Sequence, residues 1–210
     1  MKGFMKAFYG DAPPAKGLQY AIERYGVPLE MSLSYRVSED TLAYWKLVRR
    51  KRAAEVVILL RRASGRYLIH TKAFYPQGVY RLLSGGIHPH EDLIAALRRE
   101  TYEETGLDIE IKRFLGIIHY QFTWASHTLS FASYLFLLVE VGGTLGVRDP
   151  QEAITGYREV TLSEIEALAD QLEALPPDWN DWGRFRAAAH RLAVKAFTQQ
   201  DNMQGENDAR

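Results

Sequence analysis

Residues 85–107 determine the fold of this chain, and they read GGIHPHEDLIAALRRETYEETGL. A glycine pair opens the stretch, a helix-forming run follows, and Gly106 is expected to end the helix. The acidic residues Glu100, Glu103 and Glu104 have the spacing i, i+3 and i+4, which places them on one helical face. The same face continues one or two turns earlier with apolar residues, namely Leu93, Ala96 and Leu97. The stretch therefore predicts a helix over about residues 91–105 that turns this mixed face toward a protein core.

Three carboxylates on the core-facing side of a helix repel one another and lose hydration unless a positive charge lies among them. A hard divalent cation with oxygen ligands, Mg²⁺ or Mn²⁺, satisfies this requirement. The alternative is a solvated acidic helix in which Arg98 and Arg99 neutralise the carboxylates. The apolar continuation of the face favours the metal site, and Arg98 and Tyr102 fall on the opposite, solvent-facing side.

The stretch also resembles the Nudix box. That pattern begins with Gly, five variable residues and Glu. Seven variable residues then precede Arg-Glu, an apolar residue and one variable residue. The pattern ends with Glu-Glu, one variable residue, Gly and an apolar residue. These positions are filled in register here by Gly85, Glu91, Arg99-Glu100, Thr101, Glu103-Glu104, Gly106 and Leu107. Thr101 departs from the aliphatic preference of its position, and His88 and His90 occupy variable positions.

The resemblance implies an α/β fold in which helices sandwich a mixed β-sheet, and it covers roughly residues 53–175. We expect a Nudix domain over residues 54–197, including a C-terminal helix, with an N-terminal extension over residues 1–53 and a flexible tail over residues 198–210. The extension is rich in aromatic residues, which favours packing on the catalytic domain or on a second subunit. A homodimer through the extension and the last helix is therefore a hypothesis.

The resemblance also implies roles for individual residues. The implied metal ligands are Glu100, Glu103 and Glu104, together with the backbone carbonyl group of Gly85, and the implied cofactor is Mg²⁺, with Mn²⁺ as a substitute. A glycine allows the backbone to approach a metal because it has no Cβ atom. Arg99 and Glu91 are expected to support the site. The general base is open between a box glutamate such as Glu100 and Glu152, which lies in a loop before a late strand.

Nudix enzymes hydrolyse the pyrophosphate linkage of a nucleoside diphosphate joined to another group, and the resemblance implies this function. ADP-ribose or a nucleotide sugar is the default substrate that the family suggests. The alternatives are a nucleoside triphosphate or dinucleoside polyphosphate hydrolase, an RNA-end processing enzyme, and a non-catalytic binding or regulatory module with the same fold. Trp124 and His127 lie in a region of alternating aromatic residues that fits either nucleobase stacking or the sheet core.

Composition restricts the class of partner and the location. The 26 Lys and Arg residues equal the 26 Asp and Glu residues in number, which argues against a dedicated nucleic-acid binder. The absence of cysteine excludes disulfides, thiol catalysis and thiolate metal sites. The first residues lack the apolar core of a signal peptide, and the most apolar run, around residues 129–141, is too short to span a membrane. We expect a cytoplasmic protein that acts on a small molecule linked to a nucleoside diphosphate.

Overall fold

The fold is built on a seven-stranded mixed β-sheet. The computed structural model describes residues 14–52 and 54–208, with side chains up to residue 199. Residues 1–13 and 53 of the expected extension and the last two residues of the expected tail lie outside the described residues. The strands are β1 (Leu29–Arg36), β2 (Ala54–Arg61), β3 (Tyr67–Lys72), β4 (Arg81–Ile87), β5 (Leu107–Trp124), β6 (His127–Gly143) and β7 (Ile154–Val160). Their order across the sheet is β1-β5-β6-β2-β4-β3-β7, and β1–β5 and β2–β6 are the parallel pairs.

Helices cover both faces of the sheet. They are α1 (Leu18–Tyr25), α2 (Glu39–Lys51), α3 (Leu93–Thr105), α4 (Leu162–Glu173) and α5 (Pro177–Asp208). Helices α1 and α3 pack on one face, where Leu93 and Leu97 are fully buried. Helices α2, α4 and α5 pack on the other face, around Trp45 and Phe185. This α/β sandwich with a mixed sheet confirms the predicted fold class. Among the described residues, no helix combines the length and the hydrophobicity needed to cross a membrane.

Strand β1, from the segment expected to precede the domain, forms one edge of the sheet. It lies parallel to β5, and its residues alternate between half-buried and exposed, as in a strand with one covered face. Helix α2 follows, and the ring of Trp45 stacks on Phe122 of β5 with 4.6 Å between the ring centroids. The described part of the expected extension therefore packs on the sheet. A domain boundary at residue 53 stays a prediction.

Local sequence signals explain where helix α3 begins and ends. Asp92 caps the helix, because its carboxylate accepts hydrogen bonds from the backbone N–H groups of Ile94 (2.9 Å) and Ala95 (3.4 Å). Gly106 ends the helix with a φ of 64°, a left-handed conformation that glycine adopts without strain. The helix begins slightly later than predicted, at Leu93, because Asp92 supplies the cap.

Two long elements differ from the sequence-based prediction. The sequence predicts separate strands over residues 108–113 and 114–124, but β5 is one strand whose pairing with β6 shifts at irregular positions. Such bulges bend a strand without ending it. Helix α5 continues to Asp208, beyond the predicted end at about Phe197. Polar residues without proline do not stop a helix, and this explains the longer helix.

Candidate active site

Helix α3 turns its acidic side chains toward the interior, as their spacing predicts. The apolar residues of the shared face are fully buried, namely Leu93, Ala96 and Leu97. One or two turns further along the helix, Glu100 and Glu104 are buried and Glu103 is half-buried. Arg98 and Tyr102, on the opposite side, are exposed. The predicted orientation of the mixed face is confirmed.

Two box glutamates and one loop glutamate lie close enough together that they could hold a metal ion. Glu100, Glu103 and Glu152 each offer a carboxylate oxygen, and these oxygens lie within 4.8 Å of one another. Glu152 ends a short 3₁₀ helix (Pro150–Glu152), and the next residue, Ala153, has a φ of 52°, which is uncommon for a residue with a Cβ atom. Backbone strain of this kind is found preferentially at functional sites. The structure thus brings the loop glutamate to the box.

Arg99 holds three acidic side chains in place. Its Nε and Nη2 atoms donate to the two carboxylate oxygens of Glu91, at 2.8 and 2.9 Å. Its Nη1 atom donates to Glu100 and to Glu103, each at 2.9 Å, and Nη2 also donates to the carbonyl oxygen of Gly86 at 2.9 Å. Partial burial raises the pKa of Glu91, but the hydrogen bonds from Arg99 and from a backbone N–H group outweigh it and hold this pKa below its usual value. The expected support role of Arg99 and Glu91 therefore has a geometric basis.

Glu104, the remaining box glutamate, faces a lysine instead of the other box acids. Lys72 Nζ lies 2.9 Å from Glu104 Oε1 and 2.5 Å from Glu152 Oε2, and His70 Nδ1 lies 3.7 Å from Glu104 Oε1. Complete burial raises the pKa of Glu104 to about 7. Burial lowers the pKa of Lys72, but Glu104 and the hydrogen bond to Glu152 outweigh it and raise this pKa above its usual value. Among the described residues, Glu104 therefore lies outside the group of three carboxylates.

Gly85 in strand β4 leaves the space beside its backbone to the carboxylate of Glu100. A Cβ atom at Gly85 would lie 1.8 Å from the carboxyl carbon of Glu100, so a larger residue would displace this side chain. Burial raises the pKa of Glu100 and Arg99 partly opposes this effect, so a nearby cation would favour the charged carboxylate. Carboxylate oxygens are the donors that Mg²⁺ and Mn²⁺ prefer. The residues present therefore fit the predicted divalent cation.

A pocket of about 180 Å³ lies beside the carboxylates. Glu100 and Glu152 line it, together with three arginines, Arg52, Arg81 and Arg186. Aromatic rings complete the lining, namely Tyr44, Phe74, Tyr75 and Trp182. Helix α2 supplies Tyr44, and helix α5 supplies Trp182 and Arg186. The helices that flank the sheet on this side therefore help to shape the pocket.

Trp124 and His127, the expected substrate-binding residues, lie where β5 and β6 meet. Their rings stack with 6.2 Å between centroids and planes 3° apart. Neither residue belongs to the described lining of the pocket beside the acids. Tyr120 and Phe122, from the same region, are buried in the sheet core. The sheet-core alternative therefore holds for Tyr120 and Phe122, and a binding role for Trp124 and His127 stays a prediction.

Sequence reasoning missed three cations of this site: Lys72, Arg81 and Arg186. A signal existed for Lys72 and Arg81, because each lies at one end of a strand that contains an apolar run, where a buried charge requires a partner. Arg186 lies on a long helix with other basic residues nearby, and no local pattern distinguishes it. Its position in the pocket depends on how α5 packs.

Comparison with known proteins identifies the family. A family model described as the NUDIX domain matches residues 50–182, which contain the box, Lys72 and Glu152. The chain belongs to the Nudix family. The suspected family is thereby confirmed, and membership of it supports the predicted enzyme class, a Nudix pyrophosphohydrolase.

Individual Nudix proteins are similar to this chain over different ranges. An NAD-capped RNA hydrolase from Schizosaccharomyces pombe is 36% identical over 55 residues, which are 26% of this chain and 15% of that protein. An ADP-ribose pyrophosphatase from Streptococcus suis aligns with a TM-score of 0.43 and 16% identity, covering 68% of this chain and 90% of that structure. The dihydroneopterin triphosphate pyrophosphohydrolase of E. coli aligns with a TM-score of 0.44 and 15% identity, covering 69% and 96%.

Proposed function

We propose that this Nudix protein hydrolyses the pyrophosphate linkage of a nucleoside diphosphate joined to another group, with Mg²⁺ as the cofactor and Mn²⁺ as a substitute. The observation that carries the proposal is the group of three carboxylates, Glu100, Glu103 and Glu152, whose oxygens lie within 4.8 Å of one another beside an arginine-lined pocket. A diphosphate requires both kinds of partner, because its charge is neutralised by a metal ion and by hydrogen bonds from cationic side chains.

Glu100 and Glu103 would hold the cation beside Glu152, with the carbonyl group of Gly85 as a further ligand expected from the box. A bound divalent cation neutralises charge on the diphosphate and lowers the pKa of a coordinated water. Arg99 orients Glu100 and Glu103 beforehand, because both carboxylates accept hydrogen bonds from its Nη1 atom. A ligand role for Glu104 stays a prediction, since its carboxylate forms an ion pair with Lys72.

Glu152 is the general base that the geometry favours. One of its oxygens belongs to the group of three carboxylates, and Oε2 accepts a hydrogen bond from Lys72 Nζ at 2.5 Å. Lys72 thereby sets the direction of the carboxylate. In the proposed reaction, Glu152 accepts a proton from water while the water oxygen forms a bond to phosphorus, and the bridging P–O bond of the pyrophosphate breaks. Glu100 is the alternative base.

ADP-ribose and nucleotide sugars are the default substrates of this proposal, and nucleoside triphosphates and dinucleoside polyphosphates are alternatives with the same linkage. The exposed rings of Tyr44 and Phe74 at the pocket offer surfaces on which a nucleobase stacks. The S. pombe relative acts, by its name, on NAD-capped RNA, and NAD contains a pyrophosphate linkage. The short match supports a substrate with this linkage. It does not support an RNA partner. A homodimer and a cytoplasmic location stay predictions.

The proposal is tested by assaying a panel of nucleoside diphosphate derivatives with Mg²⁺ and with a chelator. Glu103→Gln and Glu152→Gln should each lower kcat by at least about 100-fold, because a ligand or the base loses its charge while the side-chain shape is kept. Glu110→Gln, at an exposed position of β5, is the matched control and should stay within about twofold of wild type. Turnover of no panel member with Mg²⁺ would refute the function. Full activity of both site variants would refute the site.

A further inference from the structure

Two guanidinium groups converge on Ser84, the residue before the glycine pair. Arg81 Nη1 donates to Ser84 Oγ at 2.8 Å, and Arg186 Nη1 donates to the same oxygen at 3.1 Å. Ser84 is 6% exposed, so this contact lies inside the protein. Two positive charges held this close together cost free energy unless anionic groups compensate them.

The carboxylates of the described residues compensate these two positive charges only in part. Among the described residues one carboxylate pairs with these guanidinium groups: Glu55 Oε2 accepts a hydrogen bond from Arg186 Nη1 at 3.0 Å. Arg81 is 4% exposed and donates to uncharged oxygens, those of the Tyr75 hydroxyl, the Leu82 carbonyl and the Ser84 hydroxyl. Burial and the charge of Arg186 lower the pKa of Arg81. Arg81 is therefore a buried cation that forms no ion pair with a described carboxylate.

Further donors at the same place lack acceptors. Arg186 Nε is buried and has no hydrogen-bond partner among the described residues. The hydroxyl groups of Ser84 and Tyr75 each accept a hydrogen bond from Arg81, so their own protons are available to a ligand. Arg52 lines the same pocket and forms no ion pair with a described carboxylate. The pocket therefore presents more positive charge and more donors than the protein satisfies.

We propose that Arg81 and Arg186 form a subsite for a third phosphate of the substrate, next to the diphosphate that Glu100 and Glu103 hold through the metal. Guanidinium and hydroxyl donors from several residues match the terminal oxygens of a phosphate, whereas a single guanidinium satisfies a planar carboxylate. Glu100 and Glu152 line the same pocket, so the subsite adjoins the proposed cleavage site. The volume of about 180 Å³ is below the roughly 300 Å³ of the smallest drug-sized sites and suits phosphate groups better than a nucleoside.

This inference rests on the proposed function and narrows its substrates. Nucleoside triphosphates and dinucleoside polyphosphates carry a third phosphate, whereas ADP-ribose and nucleotide sugars do not. Arg186 lies on α5 beyond the segment 50–182 that matches the family model, so family membership does not assign it a role. The C-terminal helix of this chain thus selects among substrates that share one scissile linkage.

Kinetics with ATP and ADP-ribose test the subsite, because both contain adenosine and a diphosphate. The measured quantity is the ratio of kcat/KM for ATP to kcat/KM for ADP-ribose. In the double variant Glu55→Gln/Arg186→Gln this ratio should fall about 10- to 100-fold, the effect of losing hydrogen bonds to a charged group. The double change removes both members of the buried ion pair and so leaves no unpaired charge. The second variant is Arg52→Gln, which breaks no ion pair of the described residues. It should lower the ratio by a smaller factor.

Arg184→Gln is the matched control, because Arg184 is exposed on the same helix and should keep the wild-type ratio. An unchanged ratio in both the double variant and Arg52→Gln would overturn the inference. A wild-type enzyme that prefers ADP-ribose to ATP would overturn it as well.

A binding measurement separates this inference from the proposed reaction. Inorganic phosphate is titrated calorimetrically into the full-length protein in the presence of EDTA. Binding that is lost in the double variant and kept in Arg184→Gln supports the subsite, even for a protein that hydrolyses neither nucleotide. Hydrolysis of ADP-ribose by a protein that does not bind phosphate would retain the proposed function and refute the subsite.

Discussion

Replacing Arg99 by methionine tests how the box holds its acids together. The change removes five hydrogen bonds, which join Arg99 to Glu91, Glu100, Glu103 and the carbonyl group of Gly86. Three carboxylates then remain close together without their shared cation. Breaking a buried charge pair costs about 3–5 kcal/mol; because Arg99 is 27% exposed and partly screened by water, we expect about 3 kcal/mol.

For a protein of this length, 1 kcal/mol corresponds to about 2–4 °C in Tm, so Arg99→Met should melt about 6–12 °C below wild type. The measurement is scanning calorimetry in EDTA, since a bound metal would replace part of the lost positive charge. Arg98→Met is the matched control: Arg98 is the exposed neighbour on the opposite face and should shift Tm by less than about 2 °C. Equal Tm values for the two variants would show that Arg99 does not hold the acids together.

Two further predictions concern Gly85 and His190. Gly85→Ala should lower metal-dependent kcat by at least about 100-fold, because the added Cβ atom would overlap Glu100. Gly146→Ala is the control, because the space around Gly146 is open. An active Gly85→Ala enzyme would contradict the assignment of the site. Burial lowers the pKa of His190 from 6.5 to about 4. Below pH 6.5 the unfolded chain therefore binds a proton that the folded protein does not, and up to about 3 kcal/mol of the unfolding free energy should be lost between pH 6.5 and pH 4. Other buried histidines such as His70 also have lowered pKa values, so denaturant unfolding should show a loss that is smaller in His190→Gln than in wild type by up to about 3 kcal/mol. An identical pH dependence of both proteins would contradict the assignment.

The box helix was predictable because its determinants are neighbours in sequence. Asp92 and Gly106 supply the cap and the stop, and the spacing of the glutamates sets a shared face because a helix repeats every ~3.6 residues. The same local chemistry predicts the start of α2, where Ser38 Oγ accepts a hydrogen bond from the backbone N–H group of Thr41. Where the signal was polarity alone, after Phe197, the predicted helix end was wrong.

The pairing of strands was less accessible to sequence reasoning. The alternation of residues 29–36 indicates a strand, but nothing within β1 names β5 as its parallel partner. Parallel pairing joins segments that are distant in sequence, and the apolar surface buried by the whole sheet and its helices selects the partner. The sequence therefore predicts the strand over residues 29–36, and only the folded structure shows that this strand joins the sheet.

The sequence by itself determined the family, the box helix and the oxygen-donor chemistry of the site, because each depends on residue type and spacing within residues 85–107. Only the tertiary structure decided that Glu152 joins Glu100 and Glu103, and that Lys72 engages Glu104. It also decided that Arg186 meets Arg81 at Ser84. These partners lie on separate elements, and their side chains meet only when the sheet and helices bury their apolar faces, a free energy that is distributed over the entire core.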